Sequence, residues 1–139
     1  MRLLWDFVKV NGRNDIQEWV EALSKADRIR LEHKLDYVAA TEFSLVLKTK
    51  ALAGVKHHGH IYKLRVMRES ALRLMMCQGP IDMPGELTLL LGAEERDFKY
   101  VPRDAPALAL ERRDEVKKNP EQRRCKRESY SETPRRAAT

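Results

Sequence analysis

Long apolar runs are missing from this chain. No stretch approaches the roughly 20 residues that span a bilayer, which argues against a membrane partner. The opening residues, Met1-Arg2-Leu3-Leu4-Trp5-Asp6, lack the apolar stretch of a secretory signal. Cysteine is scarce: Cys77 and Cys125 show neither metal spacing nor the framework of a disulfide scaffold. There is no glycine-rich phosphate loop, no Gly-x-Ser-x-Gly and no paired-carboxylate pattern, so several familiar enzyme classes fall away. Together these absences point to a reduced, cytoplasmic compartment.

What is present is charge. The chain has 139 residues, which suits one domain; 42% are apolar and 35% charged, with a formal net charge of +6. The distribution is uneven. Lys48, Lys50, Lys56, Lys63, Arg65, Arg68 and Arg73 face a single acid, Glu69, so this band alone carries +6. The next stretch is acidic, with Asp82, Glu86, Glu94, Glu95 and Asp97 against Arg96. From Glu111 onward the balance is again basic. Such a band suits a polyanionic partner, since phosphate contacts depend on Lys and Arg. It equally suits a solvated basic surface.

The apolar pattern predicts the elements. Leu3–Val10 reads as a strand closed by Asn11-Gly12. Asn14 with Gln17 fits a capping box, and Ile16, Trp19, Val20 and Leu23 recur at helical spacing. Asp27 is the expected cap of a second helix striped by Leu31, Leu35, Val38 and Ala39; Phe43–Leu47 continues it or begins a third. His60–Arg68 and Ser70–Gln78 read as paired strands, with Tyr62, Leu64 and Val66 on one face and Ile61, Lys63 and Arg65 on the other. Residues 79–85 form a loop, and the nearly continuous apolar run Glu86–Gly92 reads as a strand covered on both faces. Pro102–Asn119 is a last helix with Pro106 in its first turn, stopped by Pro120. The expected fold is α+β: a small antiparallel sheet in the order β-α-α-β-β-β-α, with two N-terminal helices packed on it and a C-terminal helix. The domain spans 1–119, and the charged segment 120–139 is expected to be a disordered tail.

In these phases Lys63, Arg65 and Arg73 project from one face of adjacent strands. Like charges repel, so the cluster is best understood as awaiting an anion; the plain alternative is a solvent face. His57, His58 and His60 follow Lys56. Histidine suits proton transfer, and His60, next to the strand, is best placed for it. A zinc site would need a fourth ligand, for which Cys77 is the candidate within the domain. Tyr100 either stacks on a base or positions a phosphate, or else lids the core between sheet and helix. Trp5, Trp19, Met67, Met75, Met76, Met83 and Cys77 read as packing or loop residues.

These residues resemble a family. Leu52-Ala53-Gly54 followed by Ile61-Tyr62-Lys63-Leu64-Arg65-Val66 looks like the L-x-G…L-Y-E-L-R segment of phage-derived toxins in the RelE/HigB superfamily. Leu72-Arg73-Leu74-Met75-Met76 is similar to their following Y-R-V-L-Y strand, and Glu86–Gly92 to the strand after it. Pro102, Ala109 and Arg112 fall where the family has P…A-x-x-R. The likeness covers residues 3–118. It implies a RelE-like fold and the toxin of a type II toxin–antitoxin pair, partnered by a helix-turn-helix antitoxin. Its activity would be metal-independent mRNA cleavage, associated with the ribosome and needing no cofactor. The family's site residues would fall on Lys63, Arg65, Arg73 and Tyr100, with His60 or Lys63 as base if neighbouring cations depress the lysine. Lys56, Arg68, Arg96 and Lys99 would be the flanking RNA contacts. Where the family places cations after the last strand, this chain has Ala93-Glu94-Glu95-Arg96. Acids there favour the alternative of a non-catalytic binder, either a gyrase-directed toxin or an inactive nucleic-acid-binding protein.

Overall fold

A computed structural model describes residues 1–66 and 71–127. Their elements run β1 (Leu3–Phe7), α1 (Asp15–Ala22), α2 (Lys25–Ala40), α3 (Phe43–Lys48), β2 (Ala53–Gly54), β3 (Tyr62–Arg65), β4 (Leu72–Gln78), β5 (Glu86–Arg96), β6 (Lys99–Val101), α4 (Ala105–Lys118), α5 (Pro120–Arg123) and β7 (Arg124–Arg127). The class is α+β, as the patterning predicts. The sheet order is β2-β3-β4-β5-β1-β7, with β6 paired to the far end of β5.

The sheet is mixed rather than antiparallel. β1 lies parallel to β5, with Leu3 opposite Glu86 and Asp6 opposite Leu89. The antiparallel expectation came from short links between β3, β4 and β5, and those pairs are indeed antiparallel. β1 and β5 are joined only through the whole intervening chain, so no local turn signal reports their orientation.

Local chemistry fixes the helices. Asn14 Oδ1 accepts from the Gln17 backbone N–H at 2.9 Å, capping α1. Only half of the expected box forms, because the Gln17 side chain bonds Glu21 and Arg127 instead. Ser24, not Asp27, caps α2: its Oγ accepts from the Asp27 N–H at 3.1 Å. Asp27 sits in the first turn, where the helix dipole favours an acid. Phe43–Lys48 is a separate third helix, and Pro106 does lie in the first turn of α4.

The sheet has two covered faces. Leu64, Leu74, Met76, Leu87 and Leu89 pack toward α1, α2 and α3 with Ile16, Leu31, Leu35 and Val46. Ile61, Met75, Cys77, Leu90, Leu91 and Ala93 pack toward Ala105 and Ala109 of α4. At Gly92 the ring of Trp19 lies where a side chain would stand, 2.3 Å from an added Cβ, so α1 approaches β5 only because that position is glycine.

The expected tail is in part folded. Residues 120–127 form α5 and β7, and β7 pairs antiparallel with β1. The cause is electrostatic. Arg127 bonds the buried carboxylates of Asp6 and Glu32, each at 2.9 Å, and Arg124 pairs with buried Glu86 beneath the Trp5 ring. Residues 128–139 lie outside the described residues, as does the predicted hairpin turn at Glu69-Ser70. Removing one partner from a buried ion network leaves its counter-charges stranded, at about 3–5 kcal/mol. Arg127→Ala is therefore expected to lower unfolding stability in urea by about that amount. An unchanged midpoint would show that the C-terminal strand is not part of the cooperative unit.

Candidate functional site

Strand pairing sets Arg65 opposite Arg73 and Lys63 opposite Met75, so the predicted cations do share the α4 face. A fourth member was not anticipated. Between the pairs Met75–Leu91 and Met76–Leu89, β5 carries one extra residue, Leu90. Leu87 and Leu89 face the N-terminal helices, whereas Leu90, Leu91 and Ala93 face α4. A bulge shifts the alternation by one, so every later odd-numbered residue changes face. Glu95 thereby reaches the same face as Lys63 and Arg73. The bulge is held from outside: Arg112 donates to the Leu90 carbonyl at 2.9 Å while its guanidinium is clamped by Asp15 at 2.8 and 2.9 Å.

The result is a compact cluster. Lys63 Nζ donates to both Glu95 oxygens, at 2.9 and 3.1 Å, and to the Tyr100 hydroxyl at 3.0 Å. Arg73 Nε donates to Glu95 Oε1 at 3.1 Å. The Lys63 ammonium also lies 5.3 Å from the Tyr100 ring centroid. Tyr100, on β6, packs on the α4-side core, as the lid reading expects, and its hydroxyl also meets the cluster.

Electrostatics differ from the expectation. Burial pulls Lys63 down, but Tyr100 and Glu95 outweigh it and hold its pKa above the ordinary 10.5. Lys63 is thus an ammonium at neutral pH, not the free base expected from neighbouring cations. Burial pushes Glu95 up, yet Lys63 and Arg73 hold it below the ordinary 4.5, as a carboxylate. Arg73 does not project into solvent: it is 7% exposed and lies behind Glu95.

The chain matches no family model, no curated protein and no solved structure.

The remaining predicted residues fall around the cluster. Arg65 is exposed on β3. His60 is exposed at φ +77° in the turn before β3, and no hydrogen bond among the described residues joins it to the cluster. Lys56 and Lys99 are exposed. Arg96 pairs with Glu94 at 3.1 Å, so it does not stand in as a cation beside Lys63. Arg68 lies outside the described residues. Among the described residues no group of His, Cys, Asp and Glu could hold a metal ion, and burial pushes the Cys77 thiol up to about 12. No helix there is long and apolar enough to cross a membrane.

The sign of the pH dependence follows. Because folding lowers the Glu95 pKa, its contribution to stability is present above the ordinary carboxylate range and fades as pH falls through its folded value. Because folding raises Lys63, its contribution is present below 10.5 and fades as pH rises through its folded value. In Glu95→Gln, only Tyr100 opposes the burial of Lys63. The Lys63 titration midpoint, followed by the 13C shift of its ε carbon, is expected to fall. An unchanged midpoint would show that the ion pair does not form in solution.

Proposed function

We propose that this chain is the toxin of a type II toxin–antitoxin pair, acting as a metal-independent endoribonuclease on mRNA at the ribosome. The observation that carries this reading is the Lys63–Arg73–Glu95–Tyr100 cluster, which lies within the sequence stretch that resembles RelE/HigB toxins. The mixed sheet with helices on both faces supports a RelE-like fold.

RNA is cut when a 2′-hydroxyl attacks the adjacent phosphorus and the bond to the 5′-oxygen breaks. The reaction needs a base for the attacking hydroxyl, a proton for the leaving oxygen and positive charge beside the phosphorane. Glu95, ionised at neutral pH, takes the 2′-proton. Arg73, buried behind it, positions the carboxylate. Lys63 and exposed Arg65 balance charge on the phosphate oxygens. Lys63 donates to the Tyr100 oxygen, which leaves the phenolic proton available to the 5′-oxygen. The products are a 2′,3′-cyclic phosphate and a 5′-hydroxyl.

A second reading has its own observation. Glu95 pairs with both cations and so occupies the place of an anion, as in a binder without catalysis, a gyrase-directed toxin included. One substitution separates the two. If Glu95 is the base, Glu95→Gln abolishes growth arrest on expression and lowers RNA cleavage by about a hundredfold or more. If Glu95 only masks the cations, the same variant binds RNA more tightly and stays toxic. Arg73→Ala relieves growth arrest under the enzyme reading. If Arg65→Ala, Arg73→Ala and Tyr100→Phe all remain as toxic as wild type, the assignment of the site is wrong. A neighbouring reading frame for a small helix-turn-helix protein would support the antitoxin partner.

A further inference from the structure

A groove of about 600 Å³ runs along the sheet edge between α3 and strands β2 and β3. That volume falls within the range of about 300–1,000 Å³ typical of small-ligand sites. Its floor is apolar and partly aromatic: Leu52 is buried, Leu47 half-buried, and the Tyr62 ring is braced edge-on by Phe43 at 5.0 Å. Its rim is cationic, from Lys50, Lys63 and Arg65, and among the described residues no acid lines it. Among the described residues neither Lys50 nor Arg65 has a carboxylate partner. Lys34 adds to this field, donating to the Arg65 carbonyl at 2.7 Å; burial and the Arg65 charge both pull its ammonium below the ordinary value.

We infer that this groove seats one nucleotide of a single-stranded RNA, its base against Tyr62, Leu47 and Leu52 and its phosphate between Lys50 and Arg65. An apolar and aromatic floor under a cationic rim is the pattern that takes a base by its π-face and a backbone by its charge. An acidic peptide would satisfy the rim but leave the aromatic floor without a matching flat surface. Lys63 is shared: its side chain lines the groove while its ammonium bonds Glu95, so an RNA seated here is led toward the cluster. The inference rests on the RNA reading for its ligand, yet it commits to a place that Arg73, Glu95 and Tyr100 do not line.

Gly54 makes a test possible. It lines the groove, its φ is not positive, and an added Cβ there would meet nothing within 4 Å. Gly54→Leu therefore intrudes on the groove without backbone strain, and Arg65→Glu reverses the rim charge at an exposed position. The probe is a short fluorescein-labelled 2′-O-methyl RNA, which cannot be cleaved, read by anisotropy with the full chain. Both variants are expected to weaken binding by about tenfold, the order lost with one stacked or charge-paired nucleotide. The inference is overturned if the wild type does not bind, if both variants bind as wild type does, or if poly-glutamate displaces the probe better than unlabelled RNA. Its failure is separate from that of the enzyme reading. Loss of binding in the groove variants without any cleavage by wild type keeps the groove and removes the ribonuclease. Cleavage dependent on Glu95 with unaltered binding in the groove variants does the reverse.

Discussion

The site depends on one extra residue in one strand. Leu90 makes two residues of β5 oppose a single step of β4, and the alternation of side chains reverses beyond it. Without that reversal Glu95 would point toward the N-terminal helices, and Glu94 rather than Glu95 would take the face shared by Lys63 and Arg73. With it, a carboxylate closes on both. The bulge is in turn braced by Arg112, whose guanidinium is fixed by Asp15 and stacked 4.6 Å from the Phe7 ring centroid. α1, α4 and β1 therefore all contribute to where Glu95 points.

Charge does two different jobs in this fold. On the β1 and β7 side it is structural: Arg124 and Arg127 tie the last strand to carboxylates of β1, β5 and α2 that are themselves buried. Such groups are tolerated inside only when paired and hydrogen-bonded. On the β2, β3 and β4 side it is graded. Arg73 is buried and committed to Glu95, Lys63 is half-buried and shared, and Arg65 and Lys50 stand exposed. A polyanion approaching this edge meets exposed cations first and the ion-paired cluster behind them.

Much of this was legible in the sequence. Alternation in His60–Arg68, with Tyr62, Leu64 and Val66 against Ile61, Lys63 and Arg65, and the strand phase of Ser70–Gln78 assigned Lys63, Arg65 and Arg73 to one face. The helices followed from their apolar stripes, though a serine one turn earlier took the cap expected of Asp27. The bulge was not legible. Leu89, Leu90 and Leu91 are identical residues in a strand buried on both faces, so no polar position marks where the phase slips. Glu95 accordingly looked like an intruder among cations rather than the shared partner of Lys63 and Arg73. The parallel pairing of β1 with β5 left no local trace either. The C-terminal strand was hidden by composition: Arg124-Cys125-Lys126-Arg127 has the charge of a tail, and only the fold supplies Asp6, Glu32 and Glu86 to receive it.

In the proposed reaction Glu95 accepts a proton from RNA. The decisive measurement is end-group analysis of RNA incubated with the purified full chain in EDTA, free and on translating ribosomes. Wild type is expected to give fragments bearing 5′-hydroxyl and 2′,3′-cyclic phosphate ends, and Glu95→Gln to leave the RNA intact. Intact RNA with the wild type under both conditions, or equal cleavage by the two proteins, would contradict that reaction.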